Sequence, residues 1–339
     1  MKIAYHFMVP EPPRPELDGA VQEALWLRER FGGSISFLYP LGRFSRLVPS
    51  RLCGLGSIGR LRKLDRGVDL HHLFTPSIPN YPFLAALRKP CICTVQTSQG
   101  KRTLRAPAST KPRVVRLVAS DPRDVPRLEH STGIPTIWIP PGVDTGAFRR
   151  SRPPKGGDFS LLVGSAPWTR RQFSTKGIDQ LLAAARAIPR LRLVFLWRGV
   201  LLHDLKARID RAGLGTRVEV ITETTDVARL LTRVHAVAVL ADRPQLIKAF
   251  PHSALEALAA GRPVLTSSVL GLADLVSRQR AGVVLDSLSP SSVLAGLQAI
   301  MENYEVLAEA AMALDLSEFS RTRFLDAYGR IYRDALRQA

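Results

Sequence analysis

The feature that most constrains the fold is an alternation of short apolar runs with amphipathic segments, which occurs twice along the chain. Short apolar runs bounded by turn residues predict buried strands, and the amphipathic segments between them predict helices. Strands that alternate with helices are typical of parallel sheets built from βαβ units. The sequence therefore predicts an α/β protein made of two Rossmann-like halves.

The strand predictions fall into two sets of six. They cover residues 3–8, 34–38, 70–74, 90–95, 114–119 and 136–139, and then 159–163, 191–197, 218–221, 236–240, 264–266 and 283–285. Helices are predicted over 16–31, 122–132, 176–188, 202–212, 226–231, 253–260 and 271–276, and over most of the chain from residue 290. Ligands of such sheets bind at the carboxyl ends of the strands.

A polar, Pro- and Gly-rich stretch at 149–157 separates the two sets and predicts an interdomain linker. A length of 339 residues also exceeds one ordinary hydrophobic core. We therefore expect an N-terminal domain over 1–148, a linker over 149–158 and a C-terminal domain over 159–320. The last helix, about 321–339, follows the second set of strands and is expected to cross back to the first domain.

Three features indicate the cellular compartment. No run of about 18 apolar residues predicts a transmembrane helix, and the first residues lack the pattern of a secretory signal. The three cysteines have neither a metal-ligand spacing nor an even number. We expect a cytoplasmic protein in a reducing environment.

The net charge of +19 is unusual and unevenly distributed. Seven basic residues lie in Arg43–Arg66 against the single acid Asp65, and six lie in Lys101–Arg116 without any acid. Such patches attract anionic membranes, phosphorylated substrates or nucleic acid. The alternative is an arginine bias that comes from a GC-rich genome. Phe44 is the only aromatic residue in either stretch, so we do not expect nucleic acid as a partner.

The loop 164–177, GSAPWTRRQFSTKG, joins the first strand of the second half to its first helix. Ser174 or Thr175 is predicted to cap that helix. Arg170, Arg171 and Lys176 would then lie beside a positive helix terminus, which is a plausible clamp for a diphosphate. The alternative is a basic surface loop with an ordinary cap.

The segment 248–264, KAFPHSALEALAAGRPV, is predicted as a loop, a small-residue helix, a tight turn and a buried strand. Ser253 and Glu256 match the S-x-x-E capping box, in which Glu256 binds its own helix start. Alternatively, the Glu256 carboxylate accepts hydrogen bonds from a ribose diol. Phe250 and His252 precede the helix, where a phosphate or a sugar could bind.

A third segment, WIPPGVDTGAF at 138–148, contains Gly142 for a tight turn and Asp144 as a cap. Neither G-x-G-x-x-G after the first strand nor a P-loop is present, which disfavours NAD enzymes and P-loop NTPases. The absence of Asp-x-Asp and of a His cluster implies no metal.

Taken together, these segments resemble retaining glycosyltransferases of family 4, which have the GT-B fold. The resemblance rests on IPPGVDTGAF, on STKGIDQLLAAARAIPRLRLVFLWRG, and on KAFPHSALEALAAGRPVL followed by GLADLV, and it spans roughly 115–335. It implies two Rossmann-like domains facing a cleft, with the acceptor bound by the first and a nucleotide sugar by the second. The N-terminal 110 residues match only in outline.

The resemblance also implies roles for individual residues. Lys176 matches the diphosphate-binding lysine of the family, and Arg170 or Arg171 takes the part of its arginine partner. Glu256 matches the second Glu of the Glu-x7-Glu motif, which is associated with the ribose hydroxyls. The candidate catalytic residues are Lys248, Lys176 and Arg171; the candidate donor-binding residues are Arg170, Arg171, Lys176, Phe250, His252, Ser253 and Glu256. Residues 249–253 match the loop whose backbone reaches the sugar and the phosphates.

Three positions depart from the family pattern. Lys248 stands where the first Glu would contact the donor sugar, which favours an anionic sugar, an added phosphate contact or lost activity. Gln96 stands where the acceptor-side strand often ends in a His, and Asp18-Gly19-Ala20 is the nearest remnant of the glycine-rich loop. The resemblance therefore supports donor binding more directly than catalysis.

Two functions from different classes follow. The first is metal-independent transfer of a sugar from a nucleotide diphosphate sugar to a glycan or lipid-linked acceptor, for polysaccharide or glycolipid assembly and without any cofactor. Arg43–Arg66 and Lys101–Arg116 would hold such an enzyme at the inner face of an anionic membrane. The second is a non-catalytic protein of the same fold that binds nucleotide sugars or scaffolds a partner.

Overall fold

The computed structural model describes residues 1–9, 11–12, 18–38, 54–78, 81–98, 113–151, 157–197 and 200–338. The chain divides into two compact units, one of Met1–Gly142 with Arg321–Ala339 and one of Val143–Ser320. Of the two basic stretches of the sequence, Arg43–Arg66 is described from residue 54 onward and Lys101–Arg116 from residue 113 onward. The rest of both stretches lies outside the described residues.

The first unit contains a six-stranded parallel sheet of order β2-β1-β3-β4-β5-β6. Its strands are β1 (Ile3–Phe7), β2 (Ser34–Phe37), β3 (Leu70–Thr75), β4 (Cys91–Val95), β5 (Val114–Ala119) and β6 (Thr136–Trp138). Its first helices are α1 (Gly19–Phe31), α2 (Ile58–Asp65) and α3 (Val125–Thr132). Strands β1, β3 and β4 are buried along their whole length, as expected for a sheet covered on both faces.

The last helix, α12 (Arg321–Arg337), also belongs to the first unit. Its side chains Phe324, Tyr328, Ile331 and Tyr332 are buried in one core cluster with residues of β1 and α1. An added Cβ on Gly142 would lie 3.0 Å from Phe324. Gly142 is therefore required by this close approach, and not by the turn conformation that the sequence predicted.

A buried polar chain crosses the first unit on the opposite face of its sheet. The His6 ring contacts Ser36 Oγ at 2.8 Å through Nδ1 and His71 Nδ1 at 2.9 Å through Nε2. His71 Nε2 lies 3.0 Å from Asp65 Oδ1, and Asp65 also accepts the backbone N–H of Lys89. Each titratable side chain of this hydrogen-bonded series, His6, His71 and Asp65, has a partner, as burial requires.

The second unit contains a six-stranded parallel sheet of order β12-β11-β10-β7-β8-β9. Its strands are β7 (Phe159–Val163), β8 (Leu191–Leu196), β9 (Val218–Ile221), β10 (Ala236–Val239), β11 (Val264–Ser267) and β12 (Gly282–Leu285). Its helices are α4 (Gln172–Thr175), α5 (Ile178–Ala187), α6 (Leu202–Arg211), α7 (Val227–Leu231), α8 (His252–Ala259), α9 (Leu272–Gln279), α10 (Pro290–Glu302) and α11 (Tyr304–Ala313).

The predicted fold class is confirmed, and all twelve predicted strands are present with ends within one residue of the prediction. Helix α1 begins at Gly19 because Asp18 Oδ1 accepts the backbone N–H of Ala20 and of Val21. Asp18-Gly19-Ala20, the nearest remnant of the glycine-rich loop in the sequence, is therefore the capped start of this helix. Helix α2 was not predicted, although Ile58, Leu61 and Leu64 have the three-residue spacing of a helix face.

Candidate functional site

The direction of strand order reverses between β7 and β10 in the second unit, since β8 and β9 lie on one side and β11 and β12 on the other. Such a switch point is where open α/β sheets bind ligands, outside the carboxyl ends of the strands. The loop 164–177 follows β7, and the loop 240–251 follows β10. Both segments singled out in the sequence therefore meet at this edge of the sheet.

Lys176 is the buried cation of this edge, with only 6% of its surface exposed. Its Nζ atom donates hydrogen bonds to Ala166 O at 3.0 Å and to Ser165 Oγ at 3.2 Å. Among the described residues, no carboxylate forms an ion pair with Lys176. Its charge is thus held by two neutral oxygens in the loop that follows β7.

Burial lowers the pKa of Lys176 from 10.5 to about 8. A buried charge is expensive unless it has a partner of opposite sign. An anion bound beside Lys176 would supply that partner and would raise its pKa. Buried groups with perturbed pKa values occur preferentially at functional sites.

Gly177 sets the start of α5, next to Lys176. Its φ of 73° is left-handed, which glycine adopts at low cost, and an added Cβ would lie 2.8 Å from Leu240 Cδ1. Ser174 and Thr175 lie within α4, so the prediction that either hydroxyl caps α5 is wrong. Instead, the Thr175 carbonyl oxygen accepts the Asp242 N–H at 2.9 Å, which joins this turn to the loop after β10.

Gly164, directly after β7, packs against the start of α8. A Cβ added to Gly164 would lie 2.9 Å from Ser253 Cβ and 3.1 Å from Ser253 Oγ. Only a residue without a side chain leaves both elements where they are. This contact brings the two predicted ligand-binding segments together.

The side chains of α8 divide clearly between a buried face and a partly exposed face. Ala254, Leu255 and three further residues at its end are buried, whereas His252, Ser253 and Glu256 are partly exposed. These three residues are spaced i, i+1 and i+4, so they share one face of the helix. That face is the part of α8 available to a ligand.

The predicted Ser253 cap is also wrong, because α8 begins one residue earlier, at His252. Pro251 occupies the cap position with φ −68° and ψ 136°, and its carbonyl oxygen accepts the N–H groups of Ala254 and Leu255. The fixed φ of proline suits entry into a helix. Ser253 therefore lies in the first turn, beside Gly164.

The loop before α8 is fixed by contacts with the rest of the second unit. The Phe250 ring is buried and packs on Phe319 with 5.5 Å between ring centroids, so it serves the core of the second unit. The Ala249 carbonyl oxygen accepts the Leu272 N–H at 2.9 Å. Lys248 precedes these anchors and is partly exposed.

The two arginines of the loop after β7 differ in their surroundings. Arg170 Nε lies 2.8 Å from Asp204 Oδ1 on α6, and 78% of the arginine side chain is exposed. Arg171 is exposed at the start of α4, and in the described part of the chain its guanidinium has no ion pair. Arg171 is thus the arginine available to accompany Lys176.

Arg262 lies in the tight turn between α8 and β11, and its role is structural. It is 1% exposed, and Nε donates to the Leu231 carbonyl oxygen at 2.6 Å. Its Nη2 donates to Ser151 Oγ at 3.2 Å. The residue ties the segment after Gly142 to the core of the second unit, a contact that local sequence could not predict.

In the first unit, Gln96 follows β4 and is 9% exposed. Its backbone N–H donates to the Thr75 carbonyl oxygen at 2.8 Å, and no described residue accepts from its Nε2. The described residues contain no group of three or more His, Cys, Asp or Glu side chains that could hold a metal ion. No helix among them has the length and apolar character needed to span a membrane.

Residues 168–314 match the protein family model described as "Glycosyl transferases group 1". D-inositol 3-phosphate glycosyltransferase of Segniliparus rotundus is 32% identical over 215 residues, which are 59% of this chain and 47% of that protein. The chain therefore spans about half the length of the curated relative that it matches. The residues that match the family model lie within the second unit, Val143–Ser320.

Solved structures show the same fold over nearly the whole chain. A crystal structure of HepE from Anabaena in complex with UDP and glucose matches with a TM-score of 0.72 at 16% identity, covering 98% of this chain and all of HepE. Sucrose-phosphate synthase from Thermosynechococcus elongatus matches with a TM-score of 0.70 at 14% identity, covering all of both chains. The fold is GT-B.

Proposed function

We propose that the protein is a glycosyltransferase that uses a nucleoside diphosphate sugar as donor and retains the configuration of the transferred sugar. The observation that carries this proposal is Lys176 at the switch point of the second sheet, a buried ammonium group with no carboxylate partner in the described part of the chain. A diphosphate would supply the missing negative charge. The match of residues 168–314 to group 1 glycosyl transferases supports the same donor class.

In the proposed reaction, the bond between the anomeric carbon and the diphosphate oxygen breaks, the oxygen of an acceptor hydroxyl forms the new glycosidic bond, and the hydroxyl proton passes to the departing diphosphate. Negative charge then accumulates on the departing diphosphate. Lys176, Arg171 and the positive N-terminus of α8 would stabilise that charge. Preorganised stabilisation of this kind is usually a large part of catalysis.

The partly exposed face of α8 is proposed to orient the rest of the donor. Glu256 would accept hydrogen bonds from the ribose hydroxyls, since a carboxylate can accept from two neighbouring donors. His252 and Ser253 would contact the diphosphate or the sugar from the first turn. The buried Phe250 ring would support this turn through its packing on Phe319, while the backbone of 249–253 would reach the sugar and the phosphates.

Lys248 is proposed to contact the donor sugar from the loop before α8. An ammonium group there favours a sugar that carries a carboxylate, or adds a contact to the phosphates. Arg170, which is paired with Asp204, would act at the rim of the site. We propose that the reaction requires neither a metal ion nor another cofactor.

The acceptor is proposed to be a glycan or a lipid-linked sugar at an anionic membrane surface. Four exposed basic residues support this proposal in the described part of the Arg43–Arg66 stretch; they are Arg60, Arg62, Lys63 and Arg66. Helix α2 buries Leu61 and Asp65 and directs this basic face outward. Such a face is attracted to anionic lipid.

The proposed activity is tested by incubating the protein with nucleotide sugars that differ in base and sugar, together with glycan and lipid-linked acceptors. Release of nucleoside diphosphate with formation of a glycoside supports the proposal, and NMR of the product's anomeric proton determines the stereochemistry. No release with any donor and acceptor would contradict it.

A non-catalytic donor-binding protein is the second candidate, because Lys248 and Gln96 replace residues that the family pattern places at the sugar and the acceptor. That candidate predicts thermal stabilisation by nucleoside diphosphates without turnover. It also predicts that Lys248→Glu does not produce turnover. Turnover by the wild-type protein or by the Lys248→Glu variant would exclude this second candidate.

A further inference from the structure

The first unit contains an arginine-lined cleft between α1 and α12, which we call the α1–α12 cleft. It is lined by Arg30 and Phe31 of α1 and by Asp326, Gly329, Arg330 and Arg333 of α12, and its volume is about 220 Å³. Helix α1 runs from the carboxyl end of β1 to the start of β2. Its last residues, Arg30 and Phe31, therefore lie toward the amino edge of the sheet, the edge opposite the one where Rossmann-like sheets bind substrates.

The three arginines of the cleft are exposed and unneutralised. Within the ranges that the structure describes, none of their guanidinium groups has a hydrogen-bond or ion-pair partner. Among the described residues that line the cleft, Asp326 alone is acidic. Three cations around one concavity repel each other, and this repulsion favours the binding of an anion.

An arginine on the same two helices shows the contrasting, paired arrangement. Arg321 Nη2 lies 2.5 Å from Glu29 Oε2, and its guanidinium lies 5.0 Å from the Trp26 ring centroid. That arginine has both a carboxylate and an aromatic face as partners. The lack of partners in the cleft is therefore not a general property of this helix pair.

Gly329 shapes the floor of the cleft. A Cβ added at this buried position would lie 3.2 Å from Phe31 Cζ and 3.5 Å from Arg333 Nη1. A residue with a side chain would fill the space beside Arg333 and press on Phe31. Glycine keeps the cleft concave in the middle of a helix, where it is less favourable than alanine.

We propose that the α1–α12 cleft is a binding site for a phosphate group, separate from the donor site of the second unit. The planar guanidinium group matches a phosphate with two parallel hydrogen bonds. Arg30 would approach from α1, whereas Arg330 and Arg333, one turn apart on α12, would approach from the other side. Asp326 moderates the affinity and favours release.

The test measures binding of inorganic phosphate by calorimetry at constant ionic strength, with chloride as the balancing anion. The protein carries Lys176→Met, so that phosphate bound at the donor site does not contribute. Arg30→Gln with Arg333→Gln should weaken binding by about tenfold or more. Asp326→Asn should strengthen it severalfold.

The matched control removes two exposed arginines of the second unit, Arg229→Gln with Arg278→Gln, and thus causes the same change in net charge. It should bind phosphate as the parent does. The proposal would be overturned if phosphate binding weakened equally in the cleft variant and the control. It would also be overturned if the parent protein bound neither inorganic phosphate nor, in the flotation experiment described next, vesicles with phosphatidic acid. Thermal unfolding checks that each variant is folded.

The second arm distinguishes a soluble phosphate from a lipid headgroup. Flotation with vesicles of phosphatidylcholine is compared with flotation with vesicles that also contain phosphatidic acid, whose headgroup is a phosphomonoester. Recruitment that the cleft variant loses and the control keeps identifies a lipid phosphate. Phosphate binding without cleft-dependent recruitment identifies a soluble phosphorylated ligand.

Discussion

The ammonium group of Lys176 lies 3.0 Å from the carbonyl oxygen of Ala166, so the lysine is bound to the loop that follows β7. This hydrogen bond holds the cation under the switch point without neutralising it. The fold therefore bears the cost of a buried charge that a bound diphosphate would offset.

Replacing this cation should separate ligand binding from stability. In Lys176→Met, the affinity for nucleoside diphosphates should fall by about 100-fold, which corresponds to the loss of a charge-assisted contact worth about 2–3 kcal/mol. The melting temperature should stay the same or rise, because the variant no longer buries a charge. Calorimetric titration and thermal unfolding measure the two effects, and a variant that binds normally would contradict the proposed role.

Binding of the diphosphate should also depend on pH. The pKa of Lys176 is lowered to about 8 in the free protein, so the ammonium form is lost as the pH rises through that value. Affinity should be constant below pH 8 and then fall by up to about tenfold per pH unit, until the higher pKa of the complex is reached. In Lys176→Arg, any remaining binding should not change between pH 7 and 9, because the guanidinium stays charged.

Gly164 should tolerate no side chain. In Gly164→Ala, the new Cβ would meet Ser253 Cβ at 2.9 Å, so either β7 or the first turn of α8 must shift. We expect a loss of about 1–3 kcal/mol of unfolding free energy together with weaker donor binding. Gly215→Ala is the matched control, because nothing lies within 4 Å of its added Cβ. Equal behaviour of both variants in denaturant unfolding would refute the close packing.

The buried histidines of the first unit should make the protein sensitive to acid. Burial lowers the pKa of His6 and of His71 below 6.5, with further contributions to His6 from the positive potential of Arg60 and from His71 and His72. The unfolded chain then binds more protons than the folded one. The free energy of unfolding should thus have its full value above about pH 6.5 and should decrease as the pH falls below 6.5.

Denaturant titrations from pH 8 to pH 4 measure this dependence. His6→Asn should be less stable at pH 8, because the hydrogen bonds to Ser36 and His71 change, and should lose less stability on acidification. His130→Gln, on the exposed end of α3, is the control and should keep the slope of the wild type. An equal slope in His6→Asn and the wild type would rule out this origin.

The fold was predictable because apolar periodicity is local. Most residues of strands such as β5 and β7 are apolar, and the bounds of these strands were predicted to the residue. The parallel order followed from the alternation with helices. Helix α2 was not predicted, because its eight residues carry a basic outer face and only three apolar side chains, too few to define a helical period.

The site was predictable as a set of segments but not as a set of contacts. The motifs around Lys176 and Glu256 indicated the two loops at the switch point. Whether Arg170 or Arg171 is available depends on Asp204, which is 34 residues from Arg170 in the chain and meets it only in the folded unit. The caps of α5 and α8 were predicted wrongly because a glycine and a proline start these helices.

Helix α12 has a consequence for the order in which the protein can be made. The core of the first unit includes Phe324, Tyr328 and Tyr332, but the ribosome adds these residues only after the whole second unit. Until then, the surface that α12 covers stays exposed on a nascent chain that has already emerged. The second unit can therefore close first, so the direction of synthesis and the order of folding run opposite to each other.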